Sequence, residues 1–226
     1  MANFNVGFVI FPELTQLDFT GPLQVLAKLP QSTMHIAAKT LEPVPSDCGL
    51  GLVPTCTFEV CPPLDLICVP GGASGVARAI GDRDTIEFVR RQAERAKYIT
   101  SVCTGAFVLG VAGLLRNRRA TTHWGYTSLL PLVGATYEKA RIVKDGSLIT
   151  AGGVTSGIDF GLSIVAEIAG IEAAQGIQLG IEYDPTPPFD AGSPDRAPAS
   201  VKATVSARYE KANKVLQEGI ERAMAG

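Results

Sequence analysis

The chain has 226 residues, 46% of them hydrophobic, with 24 Gly and 15 Pro: enough for one large α/β domain or two small ones around a sizeable core. A net charge of −2 and a pI near 5.7 give no reason to expect nucleic acid or an anionic membrane as a partner. Met1-Ala2-Asn3-Phe4-Asn5 has neither the basic start nor the apolar run of an export signal, and the 5 cysteines are an odd count, so free thiols in a reducing cytoplasm are expected.

In chain order, Phe4–Phe11 is an apolar run closed by Pro12, the pattern of a strand buried on both faces. Residues 12–20 read as a loop and Pro22–Leu29 as the first helix, with Thr20 as its N-cap. Thr33–Ala38 predicts a second strand. The region 41–63, rich in proline and holding Cys48, Cys56 and Cys61, predicts a loop with short strands. Leu64–Val69 is a further apolar strand, stopped by Pro70-Gly71-Gly72. Asp84 with Glu87 reads as a capping box opening a helix that carries Ile86, Val89 and Ala93. A strand over 98–103 and a helix over 104–115 follow. Together they make an uncharged stretch as long as a short membrane span, but Thr100, Ser101, Thr104 and a break at residue 103 fit a buried strand and a buried helix better. Ala120–Trp124, Ala135–Val143 and Ser147–Ala151 are strand candidates, with Asp145-Gly146 as a hairpin turn and Gly152-Gly153 ending the last. Helices are predicted over 156–169 and 171–182. After the irregular stretch 183–198 comes an amphipathic helix over 200–224, with Val201, Val205, Ala212, Leu216 and Ile220 near one face.

Strands alternating with helices predict an α/β fold: a flavodoxin-like, doubly wound, mostly parallel sheet sandwiched by helices. The domain reading is a body over 1–182, then an extended segment and helix over 183–226 packed on that body or on a dimer partner. Ligands of such sheets bind at the carboxyl ends of the strands. Pro70-Gly71-Gly72, Cys103 and Gly152-Gly153 all fall at such ends.

Cys103 is the most informative residue. A strand runs into Val102-Cys103-Thr104-Gly105 and a helix leaves it, the arrangement of a nucleophile elbow. Amides and dipole at the helix start would stabilise a thiolate there and lower its pKa. The competing reading is a buried structural cysteine. Asp18, just after the first strand, is the acid to place beside the thiol, and its other reading is a helix cap or Asx turn. Such a pair titrates together and can serve first as general acid, then as general base. Gly71-Gly72 and Gly152-Gly153 can offer backbone N–H groups to a developing negative charge, or are simply turns. Only His35 and His123 exist for a Cys–His pair. His35 reads as a strand residue, and His123 either approaches the site or bonds to the backbone. Cys68 reads as strand core, and Cys56 and Cys61 have no histidine nearby to complete a zinc set.

These residues together resemble the DJ-1/PfpI superfamily, over almost the whole chain. The resemblance rests on Phe11-Pro12-Glu13, Gln16-Leu17-Asp18-Phe19-Thr20-Gly21-Pro22, Val69-Pro70-Gly71-Gly72, Ser101-Val102-Cys103-Thr104-Gly105, Arg118-Arg119-Ala120-Thr121-Thr122-His123-Trp124, Gly152-Gly153-Val154-Thr155-Ser156-Gly157-Ile158-Asp159, and Glu182-Tyr183-Asp184-Pro185 to Ser193-Pro194. The Cys-Thr-Gly and Thr-Thr-His-Trp motifs recur in AraC-type regulators of this fold. Asp18, where many members carry glutamate, and the segment Tyr183–Pro198 make the isocyanide hydratase branch the most similar; residues 183–226 are too few for a regulator's two helix-turn-helix units. The resemblance implies a hydro-lyase with a small-molecule isocyanide as substrate, a homodimer, and no metal or organic cofactor. It makes Cys103 the nucleophile, Asp18 the proton carrier, and Thr104 the group that orients Asp18 or the intermediate. Gly71, Gly72, Gly152, Gly153 and Val154 would bind the charged intermediate. The wider superfamily also implies a glyoxalase- or deglycase-like enzyme on reactive carbonyls, or a non-enzymatic redox or small-molecule sensor using Cys103.

Overall fold

The computed structural model describes residues 3–225; Met1 and Ala2, which open the stretch read above for an export signal, and Gly226 lie outside it. Its strands, in chain order, are β1 (Phe4–Val9), β2 (Ser32–Ala38), β3 (Val44–Pro45), β4 (Gly51–Leu52), β5 (Cys56–Thr57), β6 (Leu66–Val69), β7 (Tyr98–Val102), β8 (Arg119–Ala120), β9 (Thr136–Tyr137), β10 (Ile142–Asp145) and β11 (Leu148–Ala151). Seven of them form one sheet in the order β10-β11-β7-β6-β1-β2-β5. Every neighbour pair is parallel except the β10–β11 hairpin. The central strands are apolar without alternation because both faces are covered: all four residues of β6 are fully buried. The sheet is the expected mostly parallel one. β3–β4 and β8–β9 are separate two-stranded ladders.

The helices are α1 (Gln16–Leu26), α2 (Ala73–Ala79), α3 (Arg83–Ala93), α4 (Gly105–Val111), α5 (Ser156–Ala169), α6 (Ile171–Gly180) and α7 (Ala199–Ala225). α1, α5 and α6 pack as one layer; α2, α3, α4 and α7 pack as the other. Among the described residues no helix is long and apolar enough to cross a membrane; the uncharged stretch 98–115 divides into β7 and α4.

Several boundaries differ from expectation. The loop predicted over 12–20 is short, because α1 begins at Gln16 and carries Asp18 in its first turn. Thr20 is not its N-cap: the Thr20 hydroxyl donates within the helix, to Gln16. Pro22 is interior rather than initial, and leaves the Asp18 carbonyl without an i+4 donor. The cap of α3 is Asp82, which accepts from the Thr85 N–H at 3.3 Å, while Glu87 pairs with Arg83 instead of closing a capping box. The predicted strand 120–124 reduces to β8. The chain then enters a 3-10 helix over Trp124–Val133, capped when His123 Nδ1 accepts from Gly125 N–H at 3.1 Å. The stretch 135–143 divides into β9 and the start of β10. The hairpin turn holds, with Gly146 at φ +65°. Only the C-terminal half of α7 buries its stripe: Leu216 and Ile220 are fully covered, and Gly219 lies against Ile80 of α2's C-cap. Val201 remains exposed.

Candidate active site

Cys103 follows β7 directly, with φ +55°, a left-handed conformation that non-glycine residues seldom adopt. The turn is over-determined by its neighbours. The Cys103 N–H donates to the carbonyls of Ala151 (3.1 Å) and Gly152 (2.8 Å), and its own carbonyl accepts from the Thr122 hydroxyl at 2.7 Å. Two residues on, a Cβ at Gly105 would lie 2.2 Å from the Val69 carbonyl oxygen, so only glycine lets α4 start this close to the end of β6. The elbow read from the sequence is present.

The first turn of α1 meets the elbow at Gly71. A Cβ placed there would lie 2.6 Å from Asp18 Oδ2, 2.7 Å from the Thr104 nitrogen and 2.8 Å from Cys103 Cβ. Gly71 also holds the first turn of α1 from both sides. Its carbonyl accepts from Thr15 N–H at 2.9 Å, and its N–H donates to Asp18 Oδ2 at 2.9 Å. Asp18 is fully buried, and its second oxygen, Oδ1, has no hydrogen-bond partner among the described residues. Thr104 is buried too, and its Oγ1 accepts from Gly72 N–H at 3.0 Å. Asp18, Cys103, Thr104 and Gly71 thus form one cluster, with an acidic oxygen left over.

The electrostatics correct one expectation. Burial lifts the Asp18 carboxyl from 3.8 to about 7, against the opposing pull of the Gly71 N–H and the Cys103 thiol. Burial also pushes the Cys103 thiol well above the ordinary thiol range, and the neighbouring Asp18 carboxylate adds to the rise. The Thr104 N–H and hydroxyl pull it down, but by less. The lowered resting thiol pKa expected from the helix start is therefore not found, because desolvation and a like charge outweigh the local donors. Cys103 rests as a thiol, and the pair carries a mobile proton near neutral pH.

A second correction concerns the glycines. The Gly71 and Gly72 amides, expected to be free donors, are spent on Asp18 and Thr104, and Gly152 N–H donates to the Arg141 carbonyl at 2.9 Å. They position groups rather than face a ligand. For the N–H groups of Gly153 and Val154 no acceptor is found among the described residues. Both residues line a groove of about 540 Å³ that runs between the 152–155 turn and the 192–196 segment, with His123, Trp124, Arg141 and Arg196.

His123 lies beside Gly153: a Cβ there would be 3.0 Å from His123 Cδ2. Its Nδ1 accepts a hydrogen bond, so Nε2 carries the proton, and burial lowers its pKa to about 4, keeping the ring neutral. Backbone bonding is thus its observed role. His35 is on β2, hydrogen-bonded to Asn5 at 3.2 Å, and takes no part. Cys68 is strand core. Among the described residues no group of three His, Cys, Asp or Glu side chains could hold a metal ion. The sequence reading missed Thr122, Tyr126 and Tyr209. The rings of Tyr126 and Tyr209 lie 5.8 and 5.1 Å from that of His123, and burial first, then the charge Cys103 would carry when ionised, raises the titration of both phenols. The available signal was Thr122 and Tyr126 flanking the His123-Trp124 motif; nothing in the pattern of α7 pointed to Tyr209.

Residues 5–167 match the model of the DJ-1/PfpI family. The chain belongs to this family. It is 53% identical over 220 residues to the isonitrile hydratase of Pseudomonas putida, covering 97% of this chain and 96% of that one. A ThiJ/PfpI family protein from Pseudomonas syringae superposes with a TM-score of 0.95 at 42% identity, covering 97% of this chain and 91% of the other. An AraC family transcriptional regulator from Pseudomonas putida superposes at 0.69 with 20% identity over 79% of this chain and 99% of that one, a likeness of fold.

Proposed function

We propose that this member of the DJ-1/PfpI family is an isocyanide hydratase, a hydro-lyase converting R–N≡C and water to an N-substituted formamide. Kinship with a hydratase along the full length supports the reaction class. The observation that carries the chemistry is the buried Cys103–Asp18 pair, with one proton to move and one carboxylate oxygen unclaimed. In our reading, Asp18 takes the thiol proton as the sulfur bonds to the terminal isocyanide carbon, and returns that proton to the same carbon. The product is a thioimidate, R–N=CH–S–Cys103. The Asp18 carboxylate then takes a proton from water, hydroxide adds to the carbon, and the proton passes to nitrogen. Collapse expels the thiolate, the hydroxyl proton returns to the pair, and the formamide leaves. Asp18 at about 7 suits both halves, since a group titrating near the working pH serves equally as acid and base.

Thr104 acts by holding the Gly72 turn and by donating to sulfur, which steadies the thiolate when it forms. Gly153 and Val154 supply the donors for charge on the intermediate, while Gly71, Gly72 and Gly152 hold the frame. The buried, proton-bearing thiol disfavours the sensor reading, because oxidation follows thiolate character and exposure. We place the protein in the cytoplasm as a homodimer, with residues 1–182 as the body and 183–226 as a segment and helix that complete it. No organic cofactor or metal enters this chemistry.

The test is turnover of an aryl isocyanide to its formamide, followed by ultraviolet absorbance, with wild type, Cys103→Ala and Asp18→Asn side by side. Wild-type turnover that vanishes in Cys103→Ala, together with a thioimidate mass adduct on Cys103, supports the reading. A folded wild type that leaves isocyanides untouched but consumes methylglyoxal overturns it.

A further inference from the structure

Next to the elbow stands a cluster of aromatic rings that the scheme above does not use. His123 and Trp124 are 5.6 Å apart, Tyr126 is 5.8 Å from His123, and Tyr209 of α7 lies 5.1, 5.6 and 5.6 Å from His123, Trp124 and Tyr126. Two contacts tie the cluster to Cys103. The Thr122 hydroxyl, one residue before His123, donates to the Cys103 carbonyl. On the other side, Gly153, against which His123 packs, follows the Gly152 carbonyl that accepts the Cys103 N–H.

Tyr126 is the anomaly in this cluster. It is only 2% exposed, and its hydroxyl has no hydrogen-bond partner among the described residues. A buried hydroxyl left unpaired costs about 1–3 kcal/mol, and each such group in a folded protein calls for a reason. Two of the neighbouring polar atoms are committed elsewhere: His123 Nδ1 accepts from Gly125, and the Thr122 hydroxyl donates to Cys103. The Tyr126 phenol is pushed up to about 12, first by burial and then by the negative charge that Cys103 and Tyr209 would carry when ionised, so it keeps its proton throughout the neutral range and is available as a donor.

We propose that Tyr126 is a further catalytic residue whose O–H donates a hydrogen bond to the nitrogen of the substrate once its carbon is bonded to Cys103. The inference rests on the hydratase reading and adds to it. Asp18 handles the protons at carbon and at water. Nitrogen gains electron density as hydroxide adds to R–N=CH–S–Cys103, and a donor there steadies it until the proton that Asp18 took from water arrives. The Tyr126 proton stays on its oxygen, so the proton balance of the reaction is unchanged.

The experiment compares wild type and Tyr126→Phe on a series of para-substituted phenyl isocyanides, with melting temperatures recorded for both. The expected result is a fall in kcat of about tenfold to a hundredfold, KM within about threefold, and a melting temperature not lowered, since the lost hydroxyl bonded nothing in the protein. The loss should grow as the para substituent becomes more electron-donating, because a more basic nitrogen gains more from the donor. A purely structural role would slow every substrate alike, and that result overturns the proposal. So does a kcat within threefold of wild type. If the variant melts early, 3-fluorotyrosine at position 126 replaces it: a kcat that shifts with phenol acidity supports the donor, and an unchanged kcat overturns it. If the wild type turns over no isocyanide at all, the hydratase reading falls first and this inference falls with it.

Discussion

Cys68 sits on β6 and Cys103 at the end of its neighbour β7, both buried and both with thiols raised by burial. Cys68 lies inside β6, fully covered, paired in register with Thr100, and pushed up to about 12. Cys103 lies just past the end of β7 at φ +55°, with the Thr104 N–H, the Thr104 hydroxyl and the Asp18 carboxyl around it. Burial therefore does not separate a structural cysteine from a reactive one here. The difference is a place for the proton to go. Cys68 has Thr100 beside it, whose hydroxyl donates to the Ile67 carbonyl at 2.8 Å, and meets Asp18 only as a charge that raises its thiol further, with no hydrogen bond to the carboxyl. Cys103 has a carboxyl that titrates at about 7.

The comparison breaks most sharply under mutation of each thiol. Cys103→Ala should reduce kcat by ~10³–10⁶-fold, on the scale of removing a nucleophile from a catalytic set. Cys68→Ala should leave kcat within a few-fold and instead cost about 1–2 kcal/mol of stability for the space left in the core, read as a lower denaturant midpoint. Equal loss of turnover in the two variants would mean that the elbow has no special chemistry.

Gly71→Ala tests the convergence itself. The position lacks the positive φ that would make alanine strained by backbone alone, so the new methyl acts through what it meets. It meets Asp18 Oδ2, the Thr104 nitrogen and Cys103 Cβ, all inside 3 Å. Displacing the carboxyl by even about 1 Å should cost ~10²-fold in kcat. Gly72→Ala is a different experiment, since φ +131° and the Glu13 carbonyl at 2.6 Å make it a folding defect.

How much of this was legible in the chain follows the same divide. The unbroken apolar runs of β1, β6 and β11 and the alternation with helices lead directly to the sheet. Cys103 and Asp18 stand out as candidates from strand ends and motif. The start of α1 was hidden because Pro22 looks like a first-turn residue and Thr15 offers no side-chain cap. The resting state of the thiol was hidden because desolvation depends on which segments close over it, and no local pattern records that. The same holds for the glycine amides: Gly71 and Gly72 look free until Asp18 and Thr104 arrive from segments remote in sequence. Tyr126 escaped because the residues after His123 form a 3-10 helix, whose spacing matches neither the strand nor the α-helical period.

Asp18 also leaves a mark on stability that its reaction does not require. Its carboxyl titrates at 3.8 unfolded and at about 7 folded, so between those values the native state binds more protons than the unfolded one. By linkage, stability then falls as pH rises from about 4 to about 7, and the loss is complete above 7. Asp18→Asn removes this slope and should be the more stable protein at pH 8, by about 2–4 kcal/mol on the burial of an uncompensated charge, while the two match near pH 4. Denaturant midpoints across pH 4–8 read it out. A wild-type curve parallel to that of Asp18→Asn would show that the carboxyl is not held protonated by burial.

The smallest expected effect belongs to the support of the elbow. Thr122→Val keeps the shape of the side chain and removes the donor to the Cys103 carbonyl, a buried 2.7 Å bond. Losing it leaves one buried acceptor unpaired, at about 1–3 kcal/mol of stability. The consequence for kcat should be less than about tenfold, because the Ala151 and Gly152 carbonyls still hold the Cys103 N–H and keep the left-handed turn. The contrasting variant is Thr100→Val, which removes the equivalent bond beside Cys68 and should show a similar stability loss with no change in kcat. If the two variants differ in turnover by the predicted few-fold and match in stability, the hydroxyl of Thr122 serves the reaction through the geometry of Cys103. If they match in both, its role ends at folding.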